Sequence, residues 1–170
     1  MRIGVVSDTH LPRFGRALPA ALVRGVRAER IGLILHCGDL TAPFVVDLLE
    51  ELAPVEAVAG NNDSPELHAR YGTRRILEVE DVRIGITHGH LGRGRSTPAR
   101  VAAAFAPGEV AVVLYGHSHI PALAYRDGRW LMNPGSPTDR RREPRFSFGV
   151  LEVSAGRVVE AGHRFFSRRE

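Results

Sequence analysis

The chain has 170 residues, 44% hydrophobic and 25% charged, enough to bury a core and most simply one domain over 1–170. No apolar stretch approaches membrane-spanning length and residues 1–6 run into a strand with no signal peptide, so a cytoplasmic protein without a membrane partner is expected. One cysteine, Cys37, excludes an intramolecular disulfide or a cysteine-rich zinc module. The net charge of +4 rests on arginine alone, which reads as a compositional bias rather than a nucleic-acid signature, with a modest positive excess that would help draw anionic substrates.

Residues 3–6 are a short apolar run, predicting a first strand that leaves into a polar loop with Pro12 and Gly15. Leu18, Leu22 and Val26 recur at helical spacing, predicting a helix over 18–26. A second buried strand follows at 31–35. Thr41 is placed to cap the next helix, with Pro43 in its first turn and Val45, Leu48, Leu49 and Leu52 facing inward. Residues 55–58 make a third strand, and this alternation argues for parallel pairing with helices covering the sheet. The second half reads differently. Residues 75–79 and 82–87 predict a hairpin around Glu80 and Asp81, and a helix over about 98–105 leads to a strand at 110–114. Segments 122–125, 129–132, 146–153 and 157–163 predict antiparallel strands, with Asp127-Gly128 and Ala155-Gly156 as turns.

Metal-type ligands follow one predicted strand after another. Asp8 and His10 follow the first strand, Asp39 the second, and Asn61 the third; His88 follows the strand ending at Thr87, and His117 and His119 the strand ending at Leu114. In an open α/β sheet, ligands gather beyond these carboxyl ends. Gly38, Gly60, Gly89 and Gly116 let the backbone turn tightly beside the side chains. Taken singly, Asp8 or Asn61 reads as a loop cap; five such coincidences read as a site. Mixed imidazole and carboxylate donors suit manganese, iron, nickel or zinc. Seven ligands are too many for one tetrahedral zinc and suit two ions about 3.5–4 Å apart.

Asp8-x-His10, Gly38-Asp39, Gly60-Asn61, His88 and Gly116-His117-x-His119 together resemble the signature of the calcineurin-like metallophosphoesterases. The short chain, His88-Gly89-His90 and Asn133-Pro134-Gly135-Ser136 are most similar to the small bacterial and archaeal phosphodiesterase branch. The resemblance implies an α/β fold, a four-layer sandwich of two mixed β-sheets flanked by α-helices. It also implies two divalent metal ions, manganese foremost. Asp8, His10, Asp39 and His119 would surround one, and Asp39, Asn61, His88 and His117 the other, with Asp39 as the bridge. The implied activity is hydrolysis of small nucleotide-like or aryl phosphodiesters by a metal-bridging hydroxide. A homodimer is implied by family habit.

Many superfamily members carry a histidine after the ligand asparagine, thought to protonate the leaving group; here that position is Asn62. An amide donates a hydrogen bond to a phosphoryl oxygen but delivers no proton. His90 is the candidate substitute acid, with a supporting role or water as alternatives, and Asp63 is read as orienting the loop. His36 and Cys37 are read as packing, His68 and His163 as surface residues, and Arg140, Arg141, Arg142 and Arg145 as a solvated run. The Asn133-Pro134-Gly135-Ser136 segment reads as a tight turn that the resemblance places near the site. Two rival functions remain: a non-catalytic protein-interaction scaffold on the same fold, and a nuclease or phosphatase. The scaffold reading expects eroded ligands, whereas all seven are intact.

Overall fold

The computed structural model describes residues 1–167, and its elements follow the sequence closely. The first half contains β1 (Arg2–Val6), α1 (Ala20–Ala28), β2 (Leu33–His36), α2 (Phe44–Glu50), β3 (Val55–Ala57) and α3 (Pro65–Tyr71). The second half contains β4 (Arg74–Val79), β5 (Val82–Thr87), α4 (Thr97–Ala103), β6 (Val112–Leu114), β7 (Ala122–Arg126), β8 (Arg129–Asn133), β9 (Phe146–Ser154) and β10 (Arg157–Phe166).

Side-chain alternation along the strands builds the layers. Ile3 and Val5 leave one face of β1 and Val6 the other; Leu35 and Ile34 divide in the same way on β2. One set joins Val82, Ile84, Val112, Leu114 and Met132 in a core between the two sheets. The opposite set packs against Leu22 and Val26 of α1 and Val45, Val46 and Leu49 of α2. A third cluster, with Val113 and Leu131 on one side and Val101 and Phe105 on the other, seats α4 on the far face of the second sheet. Helix, sheet, sheet and helix thus form the four layers of a mixed α/β sandwich.

The first sheet has the order β10-β9-β1-β2-β3, parallel among β1, β2 and β3 and antiparallel where β9 joins. The second has the order β4-β5-β6-β8-β7, with β5, β6 and β8 parallel. Six parallel strands therefore send their carboxyl ends into loops that meet at one rim.

Three local features differ from the sequence reading. Thr41 does not cap α2: its backbone is left-handed at φ 77°, its hydroxyl donates to the Leu11 carbonyl, and Pro43 stands at the N-cap. The short helix α3 was not predicted, although Ser64 accepts from the Leu67 N–H at 3.4 Å and Pro65 occupies its first turn. His163 is half-buried and donates through Nε2 to the Asn133 carbonyl at 2.7 Å, so it supports the turn after β8.

Phe148 on β9 lies fully buried against α1, where a side chain at Gly25 would come within 2.8 Å of its ring. Truncation leaves a cavity that the flanking helix and sheet close only in part. We expect Phe148→Ala to lower unfolding free energy by about 3–5 kcal/mol in urea titrations; a loss under about 1 kcal/mol would mean that the layer is loosely packed.

Candidate metal centre

The loops after β1 and β2 run side by side, because the Asp8 N–H donates to the Gly38 carbonyl at 3.0 Å and the His10 N–H to the Asp39 carbonyl at 3.1 Å. Asp8, His10, Asp39, His117 and His119 all have left-handed backbones, with φ between 46° and 70°. Left-handed backbone costs a non-glycine residue about 1–2 kcal/mol, so such a concentration needs compensation. Hydrogen bonds supply it. Asp63 accepts from the backbone N–H groups of Asp39, Gly60 and Thr41 at 2.6–2.8 Å, tying two loops to one carboxylate. Ser136 donates to the Asp8 carbonyl at 2.8 Å and Thr138 to the Thr9 carbonyl at 2.6 Å, which pins the β1 loop from the second half of the chain. Below it, the neutral His36 accepts from the Gly38 N–H at 3.2 Å, leaving its Nε2–H to face Thr9 Oγ1 at 3.3 Å.

Into this frame the structure brings two groups of buried donors, Asp8 with His10 and His119, and Asp8 with Asp39 and His88. Asp8 Oδ1 lies 3.3 Å from His119 Nε2, 3.8 Å from His10 Nε2 and 3.9 Å from His88 Nε2. Asp39 Oδ2 lies 3.3 Å from His88 Nε2 and 3.6 Å from His10 Nε2. Both carboxylates therefore stand between the imidazoles, and Asp8 as well as Asp39 reaches the two groups. An alanine at Gly60 would place its Cβ 2.2 Å from Asp39 Oδ1, so this wall of the site tolerates no side chain.

The imidazoles are pre-oriented. His88 Nδ1–H donates to the Cys37 carbonyl at 2.8 Å and His119 Nδ1–H to the Asp139 carbonyl at 2.6 Å, which turns the Nε2 lone pairs inward. His10 Nε2 sits 3.3 Å from His119 Nε2, a contact that one shared proton or one cation satisfies. Asp8 Oδ1 and His88 Nε2 are buried with no hydrogen-bond partner among the described residues. Lone pairs held this way are costly unless something fills the space between them.

The other candidates stand further out. Asn61 is exposed, and His117 is half-buried with its ring centroid 5.2 Å from that of His88 and its backbone N–H donating to Asp8 Oδ2 at 3.0 Å. The Asn62 amide is turned onto Asp39, donating from Nδ2 to Oδ2 at 2.6 Å and from the backbone to Oδ1 at 2.9 Å. His90 packs 5.3 Å from His88, centroid to centroid, with Nδ1 buried and unpartnered among the described residues. Thr138 and Asp139 were absent from the sequence reading. Both sit just past a recognisable turn; Asp139 reaches the site through its carbonyl, which carries no residue-specific signal, and its carboxylate lies 3.5 Å from His119 Nδ1.

Burial governs the charges. It raises the Asp8 pKa to about 7, against the opposing charge of His88. Burial also pushes Asp39 upward, but the His88 contact and charge and the two Asn62 donors outweigh it and hold the carboxylate well below the usual range. His88 is disfavoured as a cation by burial and restored above its ordinary value by Asp39 and Asp8. Burial lowers His10 and His117 and takes His90 and His119 to about 4, so these four rings are neutral near pH 7 and keep their lone pairs.

Residues 1–156 match the calcineurin-like phosphoesterase superfamily domain. This chain belongs to that superfamily. A probable metallophosphoesterase of Methanothermobacter thermautotrophicus is 39% identical over 143 residues, covering 81% of this chain and 78% of the relative. A phosphodiesterase of Methanocaldococcus jannaschii is 30% identical over 149 residues, 79% of this chain and 83% of the relative. The crystal structure of Vps29 from Entamoeba histolytica complexed with Zn2+ shares the fold, with a TM-score of 0.76 at 23% identity over 99% of each chain.

The donor set fits a divalent cation: imidazoles fixed through Nδ1, two carboxylates, and buried polar atoms facing one space. Below pH 7 a proton competes for Asp8; above it the carboxylate is free. Calorimetric cation affinity should therefore rise about tenfold per pH unit from pH 5 to 7 and level off above, with proton release in the lower range. A flat profile would remove Asp8 from the ligand set.

Proposed function

We propose that this metallophosphoesterase is a two-metal phosphodiesterase acting on small nucleotide-like or aryl diesters, with manganese as the preferred ion and nickel, iron or zinc as substitutes. The observation that carries the reading is the pair of adjoining buried donor groups that meet at Asp8. Asp8, His10, Asp39 and His119 would hold one ion, and Asp39, Asn61, His88 and His117 the other, with Asn61 and His117 completing the outer side. When bound, the two cations supply Lewis acidity that activates water and neutralises charge on the phosphoryl oxygens.

The chain's own groups do the rest. The Cys37 and Asp139 carbonyls keep His88 and His119 in the required tautomer. Asn62 fixes the bridging Asp39 through two donors, and its amide is a hydrogen-bond donor for a phosphoryl oxygen once a cation takes over that carboxylate oxygen. It delivers no proton. His90 is the remaining candidate for the leaving-group proton, and its low pKa means that it carries none in the free protein near neutral pH. Substrates whose leaving group departs unprotonated are therefore favoured.

Protein loaded with manganese should bind two ions per chain and hydrolyse bis(p-nitrophenyl) phosphate, and chelation should stop it. Asp39→Asn, which keeps the shape but weakens the bridge, should lower kcat/KM at least about 100-fold. Metal-loaded protein that cleaves no phosphoester would leave the binding-scaffold reading in place of the enzyme.

A second outcome concerns the leaving group. Positioned general acids contribute about 10²–10⁴-fold, so an aryl diester should outpace an alkyl monoester by at least about 100-fold. Comparable turnover of the two would show that a proton donor is present after all.

A further inference from the structure

A cavity of about 480 Å³ opens beside the metal centre, walled by Phe14, Thr138, Asp139, Arg140, Arg141 and Phe146. It shares Phe14, Thr138 and Phe146 with a second hollow of about 320 Å³ that reaches Ala20 and Ala21 at the start of α1. Together they fall in the size range of small-molecule sites, roughly 300–1,000 Å³.

Three of its wall residues touch the centre or its loops. The Asp139 carbonyl orients His119, Thr138 donates to the Thr9 carbonyl between Asp8 and His10, and the Phe14 ring stands edge-on to His10 at 6.4 Å. A molecule filling the cavity is thus separated from His10 and His119 by the wall residues Phe14 and Asp139.

The cavity offers two kinds of recognition. Phe14 is 37% exposed, with the Arg13 guanidinium over one face of its ring at 5.3 Å from the centroid, which leaves the other face as an aromatic wall backed by a cation. Arg140 is committed to the loop, donating to the Glu143 carbonyl and lying 5.8 Å over Phe146. Arg141 is different: its side chain is 55% exposed and its ion pair with Asp139 is long, at 4.0 Å. Its positive charge is felt at His10, His117 and His119. A guanidinium so placed matches phosphate in two-point geometry. An aryl arm without charge would use only the aromatic wall.

We propose that this cavity is a substrate subsite that takes a nucleoside arm carrying a second phosphate, with the base against Phe14 and the extra phosphate on Arg141. The proposal rests on the phosphodiesterase reading and narrows it to diesters of phosphorylated nucleosides.

The test uses the full-length, manganese-loaded protein and two readouts. In turnover, thymidine 3′-phosphate 5′-(p-nitrophenyl phosphate) is compared with the same ester lacking the 3′-phosphate. The phosphorylated substrate should have the higher kcat/KM, and Arg141→Ala should reduce that preference about tenfold, mainly through KM. Phe14→Ala should raise KM for both nucleotide esters. In equilibrium binding, the 3′-phosphate should make thymidine 3′,5′-bisphosphate bind about tenfold tighter than thymidine 5′-phosphate, and R141A should abolish the difference. An equal preference in wild type and R141A, or no gain from the 3′-phosphate, overturns the subsite. Arg141-dependent binding without turnover of any diester would sink the phosphodiesterase reading and leave the binding site standing.

Discussion

The structure turns on lone pairs that have been taken out of water and aimed at one another. Asp8 Oδ1 and His88 Nε2 are buried and unpartnered among the described residues, and His10 and His119 face each other through Nε2 at 3.3 Å. Leaving an acceptor unsatisfied in a protein interior costs about 1–3 kcal/mol, so such a cluster is unfavourable as it stands. Protonation of Asp8 relieves part of the conflict and a divalent cation relieves more, since it satisfies several lone pairs at once. The raised Asp8 pKa, the raised His88 pKa and the lowered pKa values of His10 and His119 are expressions of that single electrostatic tension.

The surrounding fold holds the tension in place. Parallel strands in two facing sheets deliver their carboxyl ends to the same rim, which is why residues as distant in sequence as Asp8, Asp39, His88 and His119 come together. The left-handed backbones at Asp8 and Asp39 are kept by hydrogen bonds with Asp63, Ser136 and Thr138 rather than by local preference. Glycine completes the close approach. At Gly116, an added Cβ would fall 1.8 Å from Ser7 Oγ and 2.7 Å from Asp8 Oδ2. The fold contributes rigidity and the loops contribute chemistry.

Much of this was legible in the sequence, for reasons that are themselves physical. Strands such as Arg2–Val6 and Val82–Thr87 announce themselves through apolar runs, and the glycine-plus-ligand pairs at their ends mark turns that need space beside a polar side chain. What stayed hidden falls into two kinds. The seven-residue α3 carried a Ser64-Pro65 start signal but only Leu67 and Tyr71 as a buried stripe, too little periodicity to stand out. Thr41 reads locally as a helix cap, and only the tertiary contact to Leu11 and the Asp63 carboxylate redirects it. The division of donors was hidden too: the family resemblance implies Asp39 as the shared carboxylate, and the geometry brings Asp8 within reach of both groups as well.

The two rings most firmly set, His88 and His119, are steered by main-chain carbonyls at Cys37 and Asp139. Every amino acid carries that oxygen, so the tautomers do not depend on which side chain stands at 139, whereas Cys37 is held by its place in the core between the sheets. Residue 139 can therefore be recruited to shape the neighbouring cavity, and ligand choice can diverge among descendants of this chain without disturbing its inner chemistry.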